Sequence, residues 1–177
     1  MNTLRLNLPT VLTLSRIILI PVFIFTVYQH QVFGAIVFGI ASITDFLDGY
    51  LARRSDEITK FGIILDPIAD KFLVISGLIV LVDMERLPAW IVITIIVREF
   101  FVTGLRTVAL SKDIIIPAEM GGKIKTTAQI AAILCLILMG SFFGVDFYDI
   151  GVVLIWIALL LSIISGIQYT VSFWRKI

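Results

Sequence analysis

Six long apolar stretches, at residues 11–28, 32–52, 61–82, 89–110, 126–143 and 150–173, take up most of the chain's 177 residues. Each has the length of a helix that can cross a bilayer, about 20 residues. Strands of an outer-membrane barrel are shorter and alternate in polarity, so these runs predict helices. Breakers separate them: Gln29-His30-Gln31, Arg54-Ser55-Asp56, Arg86-Leu87-Pro88, Pro117 with Gly121-Gly122, and Gly144-Val145-Asp146. The expectation is an all-α, six-helix polytopic membrane bundle forming a single domain over 1–177, with residues 1–10 as an interfacial segment.

Composition agrees. Hydrophobic residues make up 59% and charged residues 15%, against about half and a quarter in soluble domains. A net charge of +1 supplies no field for nucleic acid. A single cysteine, Cys135, rules out an internal disulfide framework and any multi-cysteine metal site.

Positive charge is distributed unevenly between the two sets of connecting segments. Arg5, Arg53, Arg54, Lys60, Lys112, Lys123, Lys125, Arg175 and Lys176 fall in one set, whereas the segments at 29–31, 83–87 and 144–149 carry Arg86 alone. The positive-inside rule then places both termini in the cytoplasm. Tyr28, Trp90, Tyr148 and Trp174 lie near run ends, where an aromatic belt sits. The first run contains Arg16 and has no small-x-small cleavage site, so it does not read as a cleavable signal.

Charges inside the runs are the main functional signal, because each costs about 3 kcal/mol at the bilayer centre on insertion scales. Asp45 and Asp48 lie in the second run, Asp66 and Asp70 in the third, and Arg98, Glu99 and Arg106 in the fourth. Asp45, Asp48 and Ala52 stand at i, i+3 and i+7, one face of a helix, and Asp66 and Asp70 at i and i+4. A short connection makes the two helices antiparallel neighbours and brings four carboxylates together. Four negative charges require neutralisation, and two divalent ions supply it. An all-oxygen donor set favours Mg²⁺, Mn²⁺ or Ca²⁺ over zinc. Gly49 and Gly62 leave backbone bare for a ligand, and Arg53 suits phosphate oxygens. Together these describe a phosphoryl-transfer site. His30 is the sole histidine and is followed by Gln31-Val32, which excludes a phosphohistidine mechanism built on His-x-Lys pairs.

The string Asp45-x2-Asp48-Gly49-x2-Ala52-Arg53-x8-Gly62-x3-Asp66-x3-Asp70 resembles the signature of the CDP-alcohol phosphotransferases at every fixed position. Asn7-x-Pro9-x2-Leu12-Thr13-x2-Arg16 is similar to that family's N-terminal pattern. Arg98-Glu99, Leu105-Arg106, Gly122-Lys123-x-Lys125-Thr126 and Gln129 resemble its bacterial phosphatidylglycerophosphate-forming branch. The resemblance implies a six-helix fold, often dimeric, in the bacterial cytoplasmic membrane with the active site facing the cytoplasm. It implies CDP-diacylglycerol as donor, sn-glycerol 3-phosphate as acceptor and two Mg²⁺ or Mn²⁺ ions. Asp45, Asp48, Asp66 and Asp70 match the motif aspartates that hold the metals, with Asp70 also the general base. Thr44, Asp48, Gly49, Ala52, Arg53 and Gly62 would border the CDP diphosphate. Arg106, Lys123, Lys125 and Thr126 would hold the glycerol phosphate. The signature is equally compatible with serine, inositol phosphate or phosphatidylglycerol as acceptor; the basic residues of the fourth and fifth runs favour a phosphorylated one. A small cation channel is the alternative of a different class, but the aspartates gather at one membrane face and trace no path across it.

Overall fold

The computed structural model describes residues 8–51, 60–111, 120–142 and 145–176, with backbone alone for 8–14, 16, 45–51, 60–70, 110–111, 120–123, 141–142, 145 and 176. Among the described residues six helices follow one another: α1 (Leu8–Gln29), α2 (Gln31–Leu51), α3 (Lys60–Asp83), α4 (Ala89–Ser111), α5 (Met120–Leu138) and α6 (Phe147–Lys176). Between α5 and α6, Ser141–Phe142 pairs antiparallel with Val145–Asp146. This two-residue ladder is the one departure from an all-helical chain among the described residues. The chain divides into two compact units, Met1–Val80 and Leu81–Ile177.

In the first unit, α1 and α2 form a hairpin with only His30 between them. Phe23 and Val27, one turn apart on α1, are fully buried, as are Phe38 and Ala41 of α2. The Phe23 and Phe38 rings meet at 5.2 Å, tilted by 51°, an arrangement aromatic pairs favour. Close approach depends on Gly34: a β-carbon there would stand 2.5 Å from Val27 Cα and Cβ. Pro9 falls in the first turn of α1, where its missing N–H has no intrahelical partner to lose.

In the second unit the buried apolar positions keep helical spacing: Ile91 and Ile95 on α4, Ile133, Leu136 and Ile137 on α5, Ile155 and Leu159 on α6. α6 packs against both α4 and α5. Gly151 allows the α5–α6 contact, since a β-carbon there would lie 2.7 Å from Leu136 Cγ. Trp90 and Trp156 meet edge to face with centroids 5.6 Å apart.

The helix ends are finished by specific groups. α3 closes in a Schellman motif, with Arg86 N–H donating to Leu81 O (2.9 Å) and Glu85 N–H to Val82 O (3.0 Å). Glu85 takes φ 58° there, a conformation that usually selects glycine. Glu85→Gly is therefore expected to stabilise the protein by about 0.5–1 kcal/mol, read as a higher melting temperature in detergent; a lower one would contradict the strain. The Arg86 guanidinium donates to Leu136 O (2.9 Å) and Ile137 O (2.6 Å), satisfying carbonyls at the C-terminus of α5 and complementing its dipole. Partial burial pulls its pKa below the ordinary arginine value. Asp146 caps α6, its carboxylate accepting the Tyr148 N–H at 2.9 Å.

Large apolar side chains face outward on every helix, among them Ile18, Phe25, Phe33, Ile43, Ile93, Val97, Leu160 and Ile167. Such a surface is a liability in water and costs nothing in lipid. Among the described residues one helix, Phe147–Arg175, is long and apolar enough to cross a membrane by length and composition, and shorter apolar helices cover Ile17–Gln29, Gln31–Thr44 and Ile124–Leu138. Tyr28, Trp90, Tyr148 and Trp174 all occupy the last or first turn of a helix, as expected for interfacial anchors.

Candidate active site

Two groups of polar residues interrupt the apolar helices, one in each unit. The acidic group belongs to the first. Asp45 and Asp48 sit in the last two turns of α2, which ends at Leu51, and Asp66 and Asp70 in the first three turns of α3, which begins at Lys60. At about 1.5 Å rise per residue, Asp45 and Asp66 each lie about 9 Å from the helix end facing the 52–59 connection. The helical backbone gives each pair one face, i to i+3 on α2 and i to i+4 on α3. The side chains of Asp45, Asp48, Gly49, Gly62, Asp66 and Asp70, and all of Ala52 and Arg53, lie outside the described residues. Among the described residues no group of three or more His, Cys, Asp or Glu gathers. Thr44 is described, and its hydroxyl donates back to Ile40 O at 2.8 Å, a common way for threonine to settle in a membrane helix.

The second group is an ion cluster within α4, α5 and α6. Arg98 spends its donors in three directions: Nε to Ser162 O (2.7 Å), Nη1 to Glu99 Oε1 (3.1 Å) and Nη2 to Ser165 Oγ (2.6 Å). Ser165 Oγ in turn donates to Leu161 O at 2.6 Å. Gly166 makes room for this arginine; a β-carbon there would stand 3.3 Å from Arg98 Cγ and Nε. Glu99 Oε1 also accepts from Lys125 Nζ. Lys125 is only 3% exposed, so its charge has left water and needs that carboxylate.

Toward the C-terminal ends of α4 and α6, Arg106 donates from Nη2 to Tyr169 Oη (3.0 Å), with its guanidinium carbon 5.2 Å from the ring centroid. Tyr169 is buried and Arg106 exposed. The ring thus anchors one donor and part of the guanidinium's plane, while an arginine has five N–H donors in all. Among the described residues Tyr169 is its one partner. Such an anchored, exposed guanidinium is suited to a phosphate. Thr103, which shares a face with Glu99 and Arg106, donates its hydroxyl back to Glu99 O at 2.7 Å. Thr126 is half-buried beside Lys125, and the side chain of Lys123 lies outside the described residues.

The structure joins Lys125 to Glu99, and Arg106 to Tyr169. Sequence reasoning missed Ser162, Ser165 and Tyr169. Their signal was present: they recur at i, i+3 and i+7 on a largely apolar helix.

Comparison with known proteins bears on both groups. The model of the CDP-alcohol phosphatidyltransferase family matches residues 6–164. The chain is 41% identical to a Bacillus subtilis (strain 168) protein named "CDP-diacylglycerol--glycerol-3-phosphate 3-phosphatidyltransferase", over 97% of each chain. Proteins of the same name from Rickettsia felis and Wigglesworthia glossinidia brevipalpis are 40% and 33% identical, covering 92% and 98% of this chain and 93% and 98% of their own. The match spans both the acidic helices and the ion cluster, and on that extent the chain belongs to the CDP-alcohol phosphatidyltransferase family.

Proposed function

We propose that this protein moves the phosphatidyl group of CDP-diacylglycerol onto sn-glycerol 3-phosphate, giving phosphatidylglycerophosphate and CMP for phospholipid synthesis. Identity over nearly the full length to relatives named for this reaction carries the reading. The protein works in the bacterial cytoplasmic membrane, crosses it six times with both termini and the active site on the cytoplasmic side, and pairs as a homodimer. α1 to α5, with 22, 21, 24, 23 and 19 residues, have lengths compatible with such spans.

The donor set of the acidic group is oxygen alone, which fits Mg²⁺ or Mn²⁺. Asp45, Asp48, Asp66 and Asp70 would hold two such ions. Bound there, the ions would neutralise the diphosphate and stabilise charge on the departing CMP. Thr44, Gly49, Ala52, Arg53 and Gly62 border the CDP moiety, Arg53 by its charge and the small residues by leaving room. Asp70 accepts the proton of the acceptor's primary hydroxyl. That oxygen bonds to the phosphorus bearing diacylglycerol, the bond from this phosphorus to CMP's oxygen breaks, and CMP keeps the electron pair.

Arg106, steadied by Tyr169, and Lys123 hold the acceptor's phosphate. Lys125, which also meets Glu99, and Thr126 complete the set that would hold the glycerol phosphate. Arg106→Ala is expected to raise KM for glycerol 3-phosphate at least tenfold, the loss of one charge-assisted hydrogen bond of about 1.5–3 kcal/mol, and to leave KM for CDP-diacylglycerol within about twofold. Equal rises in both would contradict the assignment. Purified protein given CDP-diacylglycerol, Mg²⁺ or Mn²⁺ and a panel of alcohols tests the whole reading. CMP release with glycerol 3-phosphate supports it; release only with serine, inositol phosphate or phosphatidylglycerol redirects it to another acceptor; ion flux in liposomes without CMP release would replace it with a channel.

A further inference from the structure

α6 carries a phenol where packing asks only for a ring. Tyr169 is buried at 4% exposure, and Phe173, one turn on, is buried too. A phenylalanine at 169 would bury the same ring, so the hydroxyl matters for what it bonds. It accepts from Arg106 Nη2 at 3.0 Å, within the same unit. The hydroxyls next to these two residues turn back on their own helices: Thr103 to Glu99 O, Thr107 to Thr103 O and Thr170 to Gly166 O. Glu99, about two turns back on α4, takes Arg98 and Lys125. Among the described residues no carboxylate meets Arg106. Its charge is therefore uncompensated, and the donors of its fork not given to Tyr169 face outward to an anion.

We propose that the Tyr169 hydroxyl is a positioning group that sets the affinity for the phosphate end of the acceptor, acting only through the Arg106 guanidinium. This rests on the function proposed above. An exposed arginine carries much rotamer freedom, and ordering it when a ligand binds costs affinity. Tyr169 removes that cost in advance: the hydroxyl fixes one corner of the fork and the ring holds its plane. A phosphate then meets a guanidinium already set for bidentate contact. A lysine at 106 would keep the charge and lose the fork.

The experiment measures CMP release by the full-length protein at saturating Mg²⁺ or Mn²⁺, varying each substrate in turn. Tyr169→Phe is expected to raise KM for glycerol 3-phosphate by roughly three- to tenfold, with kcat and KM for CDP-diacylglycerol within about twofold. In an Arg106→Ala background the same change is expected to move KM for glycerol 3-phosphate by less than about twofold, because the group it serves is gone. Arg106→Lys, which leaves Tyr169 intact, is expected to raise that KM at least about threefold. Wild-type KM in Tyr169→Phe or in Arg106→Lys overturns the proposal. Equal rises for both substrates in Tyr169→Phe, or an undiminished effect without Arg106, overturn it too and leave the hydroxyl a purely structural one. Wild type that releases no CMP with glycerol 3-phosphate overturns the function and this inference with it, and does so before any variant is compared.

Discussion

Replacing Asp70 with asparagine is expected to cut turnover by roughly a hundred- to ten-thousandfold, the range over which a positioned general base contributes. The substitution keeps size and one carbonyl oxygen and removes the proton acceptor. Asparagine also makes a poorer metal ligand than a carboxylate, so the measurement is made at saturating Mg²⁺ or Mn²⁺, with metal binding followed separately. The expected signature is bound metal without chemistry. Turnover near wild type with metal still bound would show that another group takes the hydroxyl proton. The proposed role rests on the motif position of Asp70; its register on α3 is one turn beyond Asp66.

Glu99→Ala is expected to remove about 3 kcal/mol of stability or more, read as a large fall in melting temperature in detergent. The carboxylate is the shared anion of Arg98 and Lys125, and all three side chains are mostly buried, at 14%, 16% and 4% exposure for Arg98, Glu99 and Lys125. Deleting it takes the shared carboxylate away from two largely buried cations. Glu99→Gln keeps an acceptor oxygen and is expected to lose less. If Glu99→Ala costs under about 1 kcal/mol, the pairs behave like surface ion pairs, and the cluster does not hold α4 and α5 together.

Most helices were legible because apolar runs bounded by polar residues carry the signal directly. The second run, 32–52, became Gln31–Leu51, and the fourth, 89–110, became Ala89–Ser111. The fifth was read less well. Its helix starts at Met120, not 126, because Lys123 and Lys125 fall outside an apolar window yet are good helix formers. It stops at Leu138, not 143, because Met139 turns to φ 37° and the chain enters the small ladder. Phe142 looked like helix in composition alone.

In the site, the acidic motif was readable because its spacing survives in one dimension. Arg98–Glu99 was readable as a local pair. Lys125 as Glu99's second partner was not, since 26 residues separate them. Tyr169 under Arg106 and the carbonyls under Arg86 escaped for the same reason: each contact joins residues 50 or more positions apart. Lysine near a cytoplasmic helix end reads alike whether it anchors the membrane, binds a substrate or pairs inside the bundle. Burial separates these cases, and burial is a property of the packed helices.

The central claim is that the four aspartates of α2 and α3 hold divalent cations against the CDP diphosphate. Its most direct test is CMP release from CDP-diacylglycerol and glycerol 3-phosphate by purified protein, before and after chelation and after adding back Mg²⁺ or Mn²⁺. Release is expected to vanish on chelation, to return with the metal, and not to return in a protein carrying Asp45→Asn and Asp66→Asn. Release that persists without metal, or that survives in that variant, would contradict it.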